Sequence, residues 1–136
     1  MYFPFLMYTK MKTIALSVQV ESLTFNSLPM GMNVKAHTDV PYLDITATTD
    51  GTHKLVIGLV NRHPYSKMNL RIQASGWANL KPITSTTLAG DPLDANTAKS
   101  PNKLHLTQTQ KPNEKEGNLF GQLPPCSITV WEIACQ

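Results

Sequence analysis

Apolar and polar residues alternate over much of this chain. In residues 40–49, the apolar side chains of Leu43, Ile45 and Ala47 alternate with polar ones. Because successive side chains of a strand point to opposite faces, this segment is predicted to be a strand with one buried and one solvent-exposed face. Residues 54–61 are apolar on both faces, which predicts a central strand. Gly58 within it predicts a bulge or a close approach of another part of the chain.

Six further segments have strand character and bring the predicted total to eight short strands. They are residues 17–25, 68–74, 83–88, 104–109, 119–123 and 127–134. Asp50-Gly51 marks a hairpin turn. Residues 26–39 and 90–102 are predicted to be loops, and residues 111–118 are predicted to be either a loop or a mobile hairpin tip. No long amphipathic helix is predicted after residue 17. This pattern predicts an all-β fold, an antiparallel β-sandwich of jelly-roll-like type.

The first eight residues are apolar and aromatic. Lys10 and Lys12 interrupt the apolar stretch before it is long enough to span a bilayer, so no membrane segment is predicted. The stretch also lacks the basic start and small-residue cleavage site of a signal peptide, which predicts a cytoplasmic location. A buried segment such as a helix end, with a packing partner, is the structural prediction for these residues.

Composition argues against several classes of binding site. The formal net charge is only +3, and the basic residues are scattered, with just two arginines, so nucleic-acid binding is not predicted. The four histidines show no ligand spacing, and neither a metal site nor a cofactor is predicted. Cys126 and Cys135 would lie roughly 30 Å apart on one strand, too far for a disulfide.

The acidic residues do not suggest catalysis. Asp50, Asp91 and Asp94 are turn formers, and most of the other acids fall on solvent-exposed strand faces or in loops. Glycoside hydrolysis requires two facing carboxylates, and no such pair is predicted here. A set of Asp44, His63 and Ser66 lacks the Gly-x-Ser-x-Gly turn that exposes a nucleophile. No catalytic residue is therefore predicted.

Four aromatic residues are candidates for stacking on a sugar ring: Trp77, Trp131, Tyr42 and Tyr65. Trp131 lies in a strongly apolar strand, with Ile128 and Val130 on the opposite face, and is predicted to be a core residue. Trp77 follows Gly76 at a turn. We retain Trp77 as the candidate sugar contact, beside the alternative that it too is structural.

Four stretches resemble the C-terminal domain of α-L-arabinofuranosidases of glycoside hydrolase family 51, in the order and spacing of that family. They are Val-Pro-Tyr-Leu-Asp-Ile-Thr-Ala-Thr at 40–48, Val-Asn-Arg-His at 60–63, Leu-Ala-Gly with Asp-Ala-Asn-Thr and Ser-Pro within 88–101, and Leu-Pro-Pro-Cys-Ser-Ile-Thr-Val at 123–130. Residues 15–22 also resemble the strand by which the chain leaves the catalytic barrel in that family. Two positions differ from it, because Cys126 replaces a usual His and Ser17 a usual Pro.

The resemblance implies that the catalytic residues belong to a different domain from this sandwich. In the family, the two catalytic Glu residues lie on a (β/α)8 barrel that precedes this region, so no residue here inherits their roles. It implies that residues 1–16 are a remnant of the barrel, including its final helix, and that residues 17–136 form the C-terminal sandwich. A further strand of the family sandwich, contributed from the N-terminal side of the barrel, is missing from this sequence.

The expected function is therefore that of a structural domain which packs on the barrel of a retaining α-L-arabinofuranosidase. That enzyme would release terminal α-L-arabinofuranosyl residues from arabinose-containing polysaccharides, as part of L-arabinose metabolism, whereas this chain alone is predicted to be inactive. The partners expected are the barrel and arabinose-containing oligosaccharides, with a homo-oligomer formed through the parent enzyme. The alternatives are a free-standing carbohydrate-binding or protein-interaction sandwich, and a truncated product without an independent role.

Overall fold

A computed structural model describes residues 2–135, and within that range the chain forms one short helix and eleven strands. The elements are α1 (Tyr2–Tyr8), β1 (Ile14–Leu16), β2 (Thr24–Ser27), β3 (His37–Pro41), β4 (Leu43–Thr49), β5 (Lys54–Asn61), β6 (Met68–Gln73), β7 (Lys81–Ala89), β8 (Thr107–Gln108), β9 (Asn113–Lys115), β10 (Asn118–Leu123) and β11 (Ser127–Ala134). The terminal residues of the two predicted segments 1–16 and 17–136, positions 1 and 136, lie outside the described range.

The strands form two main sheets. The large sheet has the order β1-β4-β5-β11-β7-β8 and the small sheet the order β6-β10-β9, while β2 and β3 form a separate hairpin. Every strand pair is antiparallel. The predicted all-β antiparallel sandwich is therefore confirmed, with more and shorter strands than the eight predicted. Since β1 belongs to the large sheet, residues 14–16 pair with the sandwich, and the predicted domain boundary after residue 16 stays a prediction.

The main core lies between the two sheets. Central strand β5 contributes Leu55, Ile57 and Leu59, and β11 contributes Trp131, which is only 1% exposed and is thus confirmed as a core residue. Gly121 of β10 faces this indole: a Cβ there would lie 2.6 Å from Trp131 Cζ2. Only glycine permits so close an approach of the small sheet to the tryptophan ring. The small sheet fills the rest of the core with Leu70, Leu119 and Leu123.

The outer face of the large sheet is covered in part by α1 and the residues that follow it. Met7 is 1% exposed and packs with Val56 and Val130, the outward-facing side chains of β5 and β11. Met11 lies so close to Gly58 that a Cβ there would meet Met11 Cε at 2.5 Å. This confirms the close approach predicted at Gly58 and explains why β5 is apolar on both faces.

The strand predicted for residues 17–25 is wrong over residues 17–23. Val18 and Val20 do alternate with polar residues, but alternation gives only the facing of side chains and does not supply a neighbouring strand. β1 pairs with β4 through Ile14, Ala15 and Leu16 alone, and pairing resumes only where β2 meets β3 at Thr24. The backbone between them forms no ladder, so it is not a strand.

The loop predicted for residues 26–39 is also wrong in part, because β2 and β3 form a hairpin there. Asn26 Oδ1 accepts a hydrogen bond from Asp39 N at 3.1 Å, and Ser27 Oγ accepts one from His37 N at 2.9 Å. These side chains bridge a register shift between the two strands. Proline and glycine predicted a loop over the whole of residues 26–39. Pro29 and Gly31 instead lie only in the segment that joins the two strands of the hairpin.

Two predictions concern short elements in the second half of the chain. The strand predicted at 104–109 is reduced to Thr107–Gln108, because the backbone of Leu104 bonds instead to the Asn96 side chain, at 2.7 Å through its N–H and 2.8 Å through its carbonyl. Of the two alternatives predicted for residues 111–118, the structure shows the hairpin: β9 pairs with β10 around Gly117, which has φ of 76°.

Candidate functional site

The most elaborate polar cluster lies where β5 ends. Asn61 is 1% exposed, and its Nδ2 donates to the carbonyl oxygens of Ser66 at 3.0 Å and Pro124 at 2.8 Å. Its Oδ1 accepts a hydrogen bond from His63 N at 3.0 Å. One buried amide therefore ties the end of β5 to the turn before β6 and to the turn before β11.

Arg62, an exposed residue, forms hydrogen bonds to the end of β3 and to β4. Its guanidinium donates to the carbonyl oxygen of Pro41 at 2.8 Å and to Asp44 Oδ2 at 2.6 Å. The backbone N–H of Arg62 also donates to Tyr42 O at 2.7 Å. These bonds hold the point where β3 ends and β4 begins.

The His63 ring accepts hydrogen bonds from the backbone of the turn that follows it. Its Nδ1 accepts hydrogen bonds from Tyr65 N at 3.2 Å and Ser66 N at 2.9 Å, which places the ring proton on Nε2 in the neutral form. The ring also packs against Tyr42 with centroids 4.7 Å apart. His63 and Ser66 thus meet through the Ser66 backbone, and Asp44 is paired with Arg62, so this set is not arranged as a nucleophile, base and orienting acid.

Trp77 is one of the residues that line a cleft between the two sheets. The turn that carries it is closed by a hydrogen bond from Trp77 N to Ala74 O at 3.2 Å, with Gly76 at φ of 84°. The indole is half-buried and packs against the main core. The cleft has a volume of about 500 Å³ and includes Leu16, Ile45 and Ile72 in its lining. Trp77 remains the predicted sugar contact, in a cleft lined by both apolar and polar side chains.

The carboxylates of Asp50 and Asp94 have clear structural partners. Asp50 Oδ1 accepts hydrogen bonds from the backbone N–H groups of Thr52, His53 and Lys54. These donors, with Thr52 and Lys54 the strongest, hold the pKa of Asp50 well below its ordinary value. The predicted turn at Asp50-Gly51 is confirmed as the β4–β5 hairpin loop. Asp94 pairs with Lys103, and that hydrogen bond lowers the pKa of Asp94.

Glu132 links the large sheet to the segment after α1. It accepts hydrogen bonds from Thr84 Oγ1 and from Lys10 Nζ, the latter at 2.9 Å. Burial raises the pKa of this carboxyl, but the bonds from Thr84 and Lys10 outweigh burial and lower it overall. Lys10 also donates to Thr86 Oγ1 at 3.2 Å. These contacts fix the segment that follows α1 on the large sheet.

The remaining candidates for chemistry are isolated from one another. Cys126 and Cys135 are free thiols at opposite ends of β11, as their predicted separation requires. Burial is the main cause that raises the pKa of Cys135. Across residues 2–135, no group of three or more His, Cys, Asp or Glu side chains is placed to hold a metal ion. No helix in that range is long and apolar enough to cross a membrane.

Known proteins are similar to this chain in sequence and fold. The family described as "Alpha-L-arabinofuranosidase C-terminal domain" matches residues 1–127. The chain belongs to this family. No curated protein matches it at a significant level, whereas solved structures similar in sequence and fold exist.

The α-L-arabinofuranosidase of Thermotoga maritima, solved with arabinose, is 26% identical, with a TM-score of 0.72 over 88% of this chain and 25% of that one. The family 51 enzyme of Thermotoga petrophila is 28% identical, with a TM-score of 0.71 over 87% and 25%. A family 51 enzyme of Bifidobacterium longum is 25% identical, with a TM-score of 0.62 over 76% and 21%. The chain thus spans about a quarter of the length of these enzymes.

The motifs that signalled the arabinofuranosidase C-terminal domain now have a physical role. Val-Asn-Arg-His at 60–63 and the segment 40–44 supply the Asn61, Arg62 and His63 bonds described above. The backbone of Cys126 completes them by donating to His63 O at 2.9 Å, so the departure from His at that position leaves this bond intact. Sequence reasoning did not find the role of Asn61, whose partners come from two separate turns.

Proposed function

We propose that this chain serves as the C-terminal β-sandwich of an α-L-arabinofuranosidase and stabilises a catalytic barrel by packing on it. The barrel would hydrolyse terminal α-L-arabinofuranosyl residues in arabinose-containing polysaccharides, and this chain by itself would be inactive. Family membership supports the proposal, as does the match of most of this chain to about a quarter of each similar enzyme.

The observation that carries the proposal is the outer surface of α1. The inner side of the helix is anchored by Met7, whereas Tyr2 is 69%, Phe5 68% and Tyr8 47% exposed. Aromatic side chains gain most from burial and are enriched at protein interfaces. A seven-residue helix that presents three aromatic rings to solvent is therefore suited to packing on another domain.

The cleft beside Trp77 is a second surface suited to packing against a partner domain. β6 is an edge strand of the small sheet and pairs on one side only, with β10. Its other edge borders the cleft, where the side chains of Ile45 and Ile72 are only partly buried. An added strand from the barrel side would pair with the free edge and cover these side chains.

The test measures self-association of the chain through the exposed surface of α1. Because Tyr2 and Phe5 are uncovered, the purified chain should self-associate as its concentration rises, measured by sedimentation velocity. A Tyr2→Ser/Phe5→Ser variant should shift towards monomer, while Tyr65→Ser, which removes an aromatic ring that is 79% exposed elsewhere, should behave like the natural chain. A natural chain that stays monomeric at high concentration would contradict the proposed docking surface.

The second candidate is a free-standing carbohydrate-binding module that uses Trp77. The presence of its indole in the lining of a cleft between the sheets supports this function. Titration with arabinan or arabinoxylan oligosaccharides tests it directly. Saturable binding that disappears in Trp77→Ala would favour the module over the docking domain, and absence of binding would leave the docking domain as the better account.

A further inference from the structure

The outer face of the small sheet has an unusual composition. The strand register places Phe120 of β10 between Arg71 of β6 and Asn113 of β9, and places Gln122 beside Asn69. All five side chains are exposed. The neighbouring residues in sequence, such as Leu70 and Leu119, point into the core. Together with Asn118, these five residues are called the amide face below.

Hydrogen bonds across the strands orient the amide groups. Gln122 Nε2 donates to Asn69 Oδ1 at 2.9 Å, and Arg71 Nε donates to Asn118 Oδ1 at 3.2 Å. The first pair leaves the Gln122 oxygen as an acceptor and the Asn69 nitrogen as a donor, and Arg71 keeps its terminal N–H groups. Neighbouring donors and acceptors of this kind match adjacent hydroxyl groups, each of which can both donate and accept.

Phe120 supplies the apolar part of such a site. Its ring is 39% exposed, although the rest of the amide face is polar. A sugar ring has one face of C–H groups and an edge of hydroxyls. The aromatic ring of Phe120 can pack against the C–H face, and the surrounding amides can hydrogen-bond the hydroxyls. Ligand sites commonly combine an apolar surface with a few orienting polar groups in this way.

The groove next to Phe120 adds positive charge. It has a volume of about 390 Å³, and Lys67 and Lys111 line it together with Asn69, Asn113 and Gln122, without any carboxylate among its lining residues. The three ion pairs found within residues 2–135 involve neither lysine. Two ammonium groups without an acidic partner favour an anionic ligand.

We propose that the amide face and this groove bind an acidic oligosaccharide, one that carries uronic acid units. Phe120 stacks under a sugar ring, the paired amides of Asn69 and Gln122 hydrogen-bond its hydroxyls, and Lys67 and Lys111 hold a carboxylate. The site lies on the outer face of the small sheet, away from α1, and Arg71 is the one member of the amide face that also lines the Trp77 cleft.

The test is titration of the full chain with trigalacturonic acid at low ionic strength, followed by NMR of the backbone amides. Saturable shifts should appear on β6, β9 and β10, with a dissociation constant on the order of 1 mM. Phe120→Ala should weaken binding about tenfold or more, and Lys67→Ala/Lys111→Ala should weaken it and reduce its dependence on salt. Leu93→Ala, an exposed apolar change on another loop, should leave binding unchanged.

Phe120 is partly exposed, so its replacement should preserve the fold, which the thermal midpoint verifies. The proposal is overturned if the natural chain shows no saturable binding, or if Phe120→Ala binds as well as the natural chain. Equal binding of a neutral arabinose trisaccharide overturns the acidic specificity. Because the readout is on the small sheet, its failure is distinguishable from a failure of the docking function, which is measured through α1.

Discussion

Asn61 shows how much of the sandwich depends on one buried amide. It donates to two backbone carbonyls in different turns and accepts from a third backbone group. An aspartate of nearly the same shape would keep the acceptor and lose both donated bonds. A buried carbonyl that loses its donor bears the cost of desolvation without compensation.

Asn61→Asp should therefore lower the free energy of unfolding by about 1–3 kcal/mol at neutral pH. The measurement is urea unfolding followed by tryptophan fluorescence. Asn102→Asp makes the same chemical change at an exposed position and should alter stability by less than about 0.5 kcal/mol. Equal losses in the two variants would contradict the role assigned to the Asn61 bonds.

The same residues show the reach and the limits of sequence reasoning. Trp131 could be placed in the core because its position in an alternating apolar strand fixes its facing. Asn61 could not be recognised in the same way, since its partners at positions 63, 66 and 124 meet only after two turns have formed. Trp77 lies between these cases: its turn was predicted, but the sequence did not show that the indole packs on the core.

At the scale of single elements, the β4–β5 hairpin is held by an ionised side chain. Backbone N–H groups donate to Asp50 and lower its pKa from an ordinary value of 3.8. Its contribution is therefore fully present above pH 3.8 and is lost as the pH falls towards the lower folded-state pKa.

Asp50→Asn should reduce stability at neutral pH and flatten its decline on acidification. The measurement is the thermal midpoint of the natural and variant chains from pH 6 to pH 2. Asp39→Asn, on exposed strand β3, serves as the matched change and should keep the natural pH profile. A variant at Asp50 that lost stability in parallel with the natural chain throughout the acid range would contradict this assignment.

Helix α1 is held on the large sheet chiefly by Met7. This side chain is 1% exposed and packs against Val56 and Val130. Met7→Ala should cost about 2 kcal/mol or more and should release the segment before β1. Limited proteolysis would then cut within residues 2–13 faster than in the natural chain. Tyr8→Ala, at an exposed position of the same helix, should leave the cleavage rate nearly unchanged, and equal rates for Met7→Ala would argue against this anchor.

Element prediction succeeded where a strand is flanked by partners and failed at the edges. β5 and β11 have neighbours on both sides, and their apolar patterns gave their bounds closely. Residues 17–23 have the same alternation without a partner strand. In the β2–β3 hairpin, side-chain bonds from Asn26 and Ser27 compensate for an irregular register, and nothing in a pattern of apolar residues reports such bonds.

At the scale of the whole molecule, the outer side of α1 exposes Tyr2, Phe5 and Tyr8, and the cleft along β6 leaves Ile45 and Ile72 partly exposed. Both are consistent with a domain shaped to pack against a larger one. The fold and family were predictable from four ordered motifs and strand periodicity together. The amide face was not, because Arg71 is far in the sequence from Phe120 and Asn113 and meets them only through the register of β6, β10 and β9.

The central claim is that this sandwich supports hydrolysis carried out by a barrel and does not itself hydrolyse arabinosides. The most direct test is incubation of the purified chain with an aryl α-L-arabinofuranoside while release of the aryl alcohol is monitored. Release should not exceed that in buffer, even with long incubation and high chain concentration. Turnover that is proportional to chain concentration and follows the chain through successive purification steps would contradict the claim.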